Sequence, residues 1–191
     1  MKKLTILLLA LALVLGLAAC APKEEPQPPV EEPVNEPAEE PVEEPAEEPA
    51  VEEKTEEVVL FFGNNEYIMT GDEQYEWMLT EVREITYGEI CLEEAIVRAL
   101  MAGPMDTDKL STGFTDTIQL ISVDVLDGTA YVNFASEGLH GGSMQESYVI
   151  GQVVESLTQL DSVDRVQFLV DGQEAETLMG HMSIEGPIEA Y

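Results

Sequence analysis

The feature that most constrains the fold of this chain is the dipeptide Asp127-Gly128, which stands between two runs rich in β-branched residues. A two-residue type I′ turn requires positive φ at both central positions, so Asp-Gly in this setting predicts a β-hairpin over residues 117–135. The turn also fixes the cross-strand partners: Leu126 with Thr129, Val125 with Ala130, Val123 with Val132, and Ile121 with Phe134. This register puts the apolar side chains on one face, which must be buried.

The first twenty residues have the pattern of a bacterial lipoprotein signal peptide. Lys2 and Lys3 precede an apolar run, and small residues come directly before Cys20. The run is shorter than the ~20 residues that a spanning helix needs, which disfavours the alternative of an uncleaved transmembrane anchor. Leu17-Ala18-Ala19-Cys20 resembles the lipobox, which implies cleavage before Cys20 and a lipid on that cysteine. We therefore predict a lipid-anchored protein that faces the extracytoplasmic side of the cell membrane.

Residues 21–57 have a composition that does not favour a packed core. Glu-Glu-Pro recurs at a four-residue step, and this segment holds 15 acidic residues against Lys23 and Lys54. Proline removes amide donors and the glutamates repel one another, so the segment is predicted to be a disordered, extended tether. The remaining residues, 58–191, have the size of one domain.

The predicted domain is strongly acidic, with 24 acidic residues against four basic ones. Nucleic-acid binding needs basic surface, so this class of partner is excluded. Such a charge indicates solubility, mutual repulsion between copies, cationic partners or a saline habitat. With Cys20 lipidated, Cys91 is the remaining cysteine and no intrachain disulfide is expected.

The periodicity of the domain alternates between strand-like and helix-like segments. Glu89–Ala102 and Ser143–Leu160 are predicted helices, the second beginning with a Ser143-Glu146 capping box. Predicted strands besides the hairpin are Val58–Phe62, Tyr67–Met69, Leu79–Thr86, Ser162–Val170 and an edge strand at Leu178–Ile184. This order predicts a two-layer α+β fold, with both helices packed on one face of a mixed β-sheet.

No set of residues in the sequence has the spacing of a catalytic or metal site. There is no Gly-x-Ser-x-Gly elbow, and His140 and His181 are isolated in the sequence. Asp106 and Asp108 lack the glutamate that an EF-hand loop needs eleven positions after its first ligand. We expect no catalytic residue, no cofactor and no metal. Paired carboxylates for glycoside hydrolysis are not excluded, because the many acidic residues make any single pair uninformative.

The order of these elements resembles the GerMN domain of bacterial sporulation and spore germination proteins. The resemblance rests on Leu100–Pro104, the Asp127-Gly128 hairpin and Glu155–Gly172, together with the opening Val59–Phe62 and Gly180-His181. It covers most of residues 58–187. The family is similar in layout to ring-building domains, small α/β modules that assemble in envelope complexes, and it is not known for enzymes.

The resemblance implies a non-catalytic interaction module that contributes to an envelope, sporulation or germination complex. Its partners would be the membrane, through the N-terminal lipid, and a protein of the cell envelope. Self-association is left open, because a single domain copy differs from a tandem arrangement. The alternative is a cell-wall-active or small-ligand- or cation-binding lipoprotein that uses its acidic residues.

Overall fold

A computed structural model of the chain describes residues 52–190; Cys20, the predicted signal peptide and most of the predicted tether lie outside these residues. The described chain is α+β, as predicted. Its elements, in order, are β1 (Lys54–Asn64), α1 (Asn65–Thr70), β2 (Met78–Tyr87), α2 (Leu92–Ala102), β3 (Leu110–Ser111), β4 (Leu120–Leu126), β5 (Thr129–Phe134), α3 (Ser143–Leu157) and β6 (Arg165–Val170).

The strands divide between two three-stranded sheets, where the sequence predicted one mixed sheet. The first has the order β2-β1-β3 and is antiparallel. The second has the order β4-β5-β6 and is mixed, because β5 runs parallel to β6 and α3 connects the two. α2 packs against β2 and β4, and α3 packs against β1 and β6. The two helices therefore contact strands of both sheets, and their buried residues belong to one core cluster.

β1 begins before the predicted domain boundary. It pairs with β2 from Lys54 onward, so the boundary at residue 57 falls inside the strand. The side chains in this first part of β1 are exposed to solvent. A strand can therefore contain the charged residues on which the prediction of a tether was based. Val58, Leu60 and Phe62 follow and are buried in the core.

The hairpin prediction is confirmed at its turn and for three of its four cross-strand pairs. Asp127 and Gly128 have φ of 50° and 72°, as a type I′ turn requires. The fourth pair is wrong, because a register shift between Leu120 and Ser122 places Leu120 opposite Phe134. A bulge of this kind turns the extra residue away from its predicted face, and Ile121 is 49% exposed.

Several boundaries also differ from the sequence prediction. Asn65–Thr70, which includes the predicted strand Tyr67–Met69, is helical because the side chain of Asn64 caps its first turn. The segment Leu178–Ile184 is not a strand and makes one bridge, between Thr177 and Ser183. It is held instead by a side chain of α3, as described below.

Candidate functional site

The main cleft of the described chain lies where the beginning of α3 meets α1 and the loop after Leu178. Its volume is about 730 Å³, within the range of ligand-binding pockets. The residues that line it are Tyr67, Trp77, Ser143, Met144, Ser147, Tyr148, Ile150, Met182 and Ser183. They come from separate parts of the chain, so tertiary packing creates this cleft.

Two aromatic rings form the wall of the cleft. The rings of Trp77 and Tyr148 lie 5.4 Å apart at an angle of 30°, and the Tyr148 hydroxyl donates a hydrogen bond to the Trp77 carbonyl at 3.2 Å. Burial raises the pKa of the Tyr148 phenol. Gly151 makes this packing possible, because a Cβ there would lie 2.4 Å from the Trp77 ring. The two rings are therefore held in place by contacts within the domain itself.

Glu146 holds the loop from which Met182 and Ser183 line the cleft. Its side chain is fully buried, and its two carboxylate oxygens accept the backbone N–H groups of Leu178, Met179 and His181 at 2.9, 2.7 and 2.8 Å. The predicted Ser143-Glu146 capping box is therefore wrong. The N-cap is Gly142, and it makes no side-chain capping bond. Glu146 instead fixes the loop that carries Met182 and Ser183 into the cleft.

The lining of the cleft is apolar and hydroxylic. None of the residues that line it is an Asp, Glu, His, Lys or Arg, and its polar groups are the hydroxyls of serine and tyrosine and the Trp77 indole. Two methionines stand at its rim, with Met144 55% and Met182 37% exposed. Flexible methionines beside rigid aromatic rings suit the binding of an apolar or aromatic group.

The residues that the sequence analysis singled out do not meet in one site. Cys91 is the N-cap of α2, where its sulfur accepts the Glu94 N–H at 3.4 Å, and burial raises the pKa of its thiol. A thiol held in its neutral form is a poor nucleophile. Asp106 pairs with Lys109 at 3.0 Å, and the hydrogen bond from Lys109 lowers the pKa of that carboxyl group.

Neither of the two histidines lines the cleft. The ring of His181 contacts the Gly141 carbonyl at 3.0 Å, and its main chain is bound by Glu146. His140 is exposed. Within residues 52–190, no group of three or more His, Cys, Asp or Glu side chains is placed to hold a metal ion.

The described chain is therefore an α+β domain with a cleft walled by two aromatic rings. Residues 59–176 match the family model Germane, described as sporulation and spore germination, and the chain belongs to this family. No curated protein matches the chain.

Solved structures support the same fold. The first GerMN domain of the sporulation protein GerM from Bacillus subtilis is 18% identical, with a TM-score of 0.57, and the match covers 70% of this chain and 97% of that one. The tandem GerMN domains of the same protein are 19% identical, with a TM-score of 0.56 over 72% of this chain. This chain spans 46% of that tandem structure.

A crystal structure from Clostridium perfringens, described as a candidate lipoprotein, is 22% identical and covers 71% of this chain and 87% of that one. The TM-score of this match is 0.46. Among the described helices, none combines the length and the apolar character needed to cross a bilayer.

Proposed function

We propose that this protein is a lipid-anchored, non-catalytic interaction module that takes part in assembling an envelope complex of sporulation or germination. In this proposal Cys20 carries the lipid on the extracytoplasmic side. The acidic, proline-rich segment that follows it holds the domain away from the membrane. The partner is an envelope protein that inserts an apolar or aromatic side chain into the cleft.

The observation that supports this proposal best is the chemistry of the cleft. Trp77 and Tyr148 offer a rigid aromatic wall, and Met144 and Met182 extend apolar surface to its rim. Aromatic residues and methionine are enriched where proteins bind one another. The acidic alternative has less support, because none of the carboxylates of the domain lines this cleft.

A photo-crosslinking amino acid at position 144 tests the proposal in the cells that make the protein. We expect a defined envelope protein to be crosslinked from position 144. The same crosslinker at position 105 should not capture it, because Met105 is 78% exposed but does not line the cleft. Met182→Glu should abolish the crosslink, since a charge at the rim would have to be buried on binding.

Two results would contradict the proposal. Equal crosslinking from positions 144 and 105 would show contact without a specific surface. Binding of a purified cell-wall glycan fragment that Met182→Glu abolishes, with no protein crosslinked, would favour the ligand-binding alternative. The lipid anchor is tested separately: Cys20→Ala should leave an unprocessed precursor, and normal processing of this variant would refute lipidation at Cys20.

A further inference from the structure

One edge of β1 is only partly used within the described chain. β3 pairs with β1 at Gly63 and Asn64 alone. The next outward-facing residue along this edge is Phe61, whose N–H donates to the Ser156 hydroxyl at 2.9 Å and whose carbonyl accepts from the Gln152 amide at 3.2 Å. Two side chains of α3 thus take the place of a neighbouring strand at this point.

Within the described part of the chain, this edge has no partner strand beyond Phe61. Main-chain groups in an antiparallel strand point to alternate sides, so Val59 and Glu57 direct their N–H and carbonyl groups to the same side as Phe61. In residues 52–190 no strand pairs with β1 there. The free stretch from Thr55 to Val59 is about 17 Å long at the usual rise of a strand.

A groove of about 450 Å³ follows this free edge. Val59, Leu92 and Leu160 supply its apolar surface, and Ser156 in the last turn of α3 and Gln159 just after the helix border it. Its lining also contains three carboxylates and no basic residue; the carboxylates are those of Glu56, Glu57 and Asp161. The groove therefore combines unpaired main-chain groups with apolar contacts and negative charge.

The charges decide which kind of strand could enter the groove. A second copy of this chain would bring the same glutamates against Glu56 and Glu57, and like charges on paired strands are destabilising. The acidic segment before β1 is a poor occupant for the same reason, and its prolines at 33, 37, 41, 45 and 49 lack the N–H groups of a ladder. A segment that contains Lys or Arg has the complementary charge.

We propose that the free edge of β1 binds an extended, basic segment of another protein by β-strand addition. The segment pairs its main chain with Glu57 and Val59, and it alternates apolar residues with Lys or Arg so that each faces a suitable part of the groove. This surface is separate from the aromatic cleft and does not depend on the function proposed for it.

A short capped peptide in which Lys and Val alternate is the probe, measured by calorimetry against the full chain. Val59→Pro removes one N–H from the free edge and should weaken binding by about tenfold or more, the equivalent of a lost hydrogen bond or two. Val82→Pro is the matched control. Val82 lies directly opposite Val59 on β2, and its N–H points to the other edge of the sheet. The affinity of the Val82→Pro variant for the peptide should therefore stay within about twofold of that of the unaltered chain.

A second measurement needs no change in the protein. The same peptide with alternate amides N-methylated keeps its charge but cannot form the ladder, and it should bind at least about tenfold more weakly. Equal binding of the methylated and unmethylated peptides would overturn the proposal, because it would show attraction by charge alone. Stronger loss with Val82→Pro than with Val59→Pro would overturn the assignment to β1.

Discussion

The clearest test of how the cleft is built is the removal of the Glu146 carboxylate. Glu146→Ala leaves the N–H groups of Leu178, Met179 and His181 without their acceptors. The hydrogen bond to the Leu178 N–H is buried, so leaving this N–H without an acceptor should cost about 1–3 kcal/mol. The bonds to Met179 and His181 are nearer to solvent, and the loss of each should cost about 0.5–1.5 kcal/mol. Relief of the desolvated charge offsets part of this, so we expect the free energy of unfolding to fall by about 2–4 kcal/mol.

Glu146→Gln distinguishes the contributions of the two carboxylate oxygens to stability. The retained amide oxygen can still accept from Leu178 and Met179, but the new NH₂ group faces the N–H of His181, so a smaller loss of about 1–2 kcal/mol is expected. Urea unfolding of the full chain measures both variants, and hydrogen exchange of residues 178–181 shows whether the loop is released. Glu174→Ala, at an exposed carboxylate, is the control and should change stability by less than about 0.5 kcal/mol.

Two results would refute this reasoning. If Glu146→Ala unfolded at the same urea concentration as the unaltered chain, the three hydrogen bonds would contribute nothing to stability. If exchange at residues 178–181 were unchanged while stability fell, the effect would come from packing of α3 and not from the loop. The rim residue Met182 would then owe its position to other contacts.

Gly113→Ala should destabilise the fold by about 1–3 kcal/mol, because its Cβ would lie 2.9 Å from the backbone nitrogen of Val149 in α3. Gly142→Ala has no atom within 4 Å of its Cβ and should lose only the preference for glycine over alanine at an N-cap, about 1 kcal/mol or less in the same denaturation assay. The Ser136 hydrogen bond lowers the pKa of Asp171 in the folded state, so this carboxylate stabilises the fold above its unfolded pKa and stops doing so as pH falls through the folded pKa. In Asp171→Asn, the loss of stability between neutral and acid pH should therefore be smaller. An unchanged dependence of stability on pH would contradict the assignment. Self-association of the full chain should be weak at low salt and strengthen as salt rises, whereas binding to a basic partner should weaken; stable oligomers at low ionic strength in sedimentation would contradict this.

The hairpin could be predicted because its information is local. Asp127-Gly128 selects one turn geometry, and the turn then determines the partners nearest to it. The predicted partner of Ile121 was wrong because a bulge six residues from the turn changes the register. No residue type at this position indicates a bulge. The division into two sheets was missed for a related reason: alternating apolar residues predict which face of a strand is buried but not which strand lies beside it.

The aromatic cleft could not be predicted, because Trp77, Tyr148 and Met182 are far apart in the sequence and meet only through the packing of α3. Glu146 did carry a signal. It lies one turn before Val149 and Ile150, on the face that helical periodicity predicts to be buried. A carboxylate on a buried face requires hydrogen-bond donors, and that requirement was a better guide than the local capping pattern that Ser143 and Glu146 also satisfy.

The buried polar residues of α3 explain both candidate surfaces. Glu146 binds the loop that closes the aromatic cleft, and Gln152 joins the Gly113 N–H to the Phe61 carbonyl. Ser156 then accepts the Phe61 N–H, and α3 ends one residue later at Leu157. Because the helix stops there, it offers no further side chain to Val59 and Glu57. The end of α3 therefore determines where the edge of β1 becomes available to another strand.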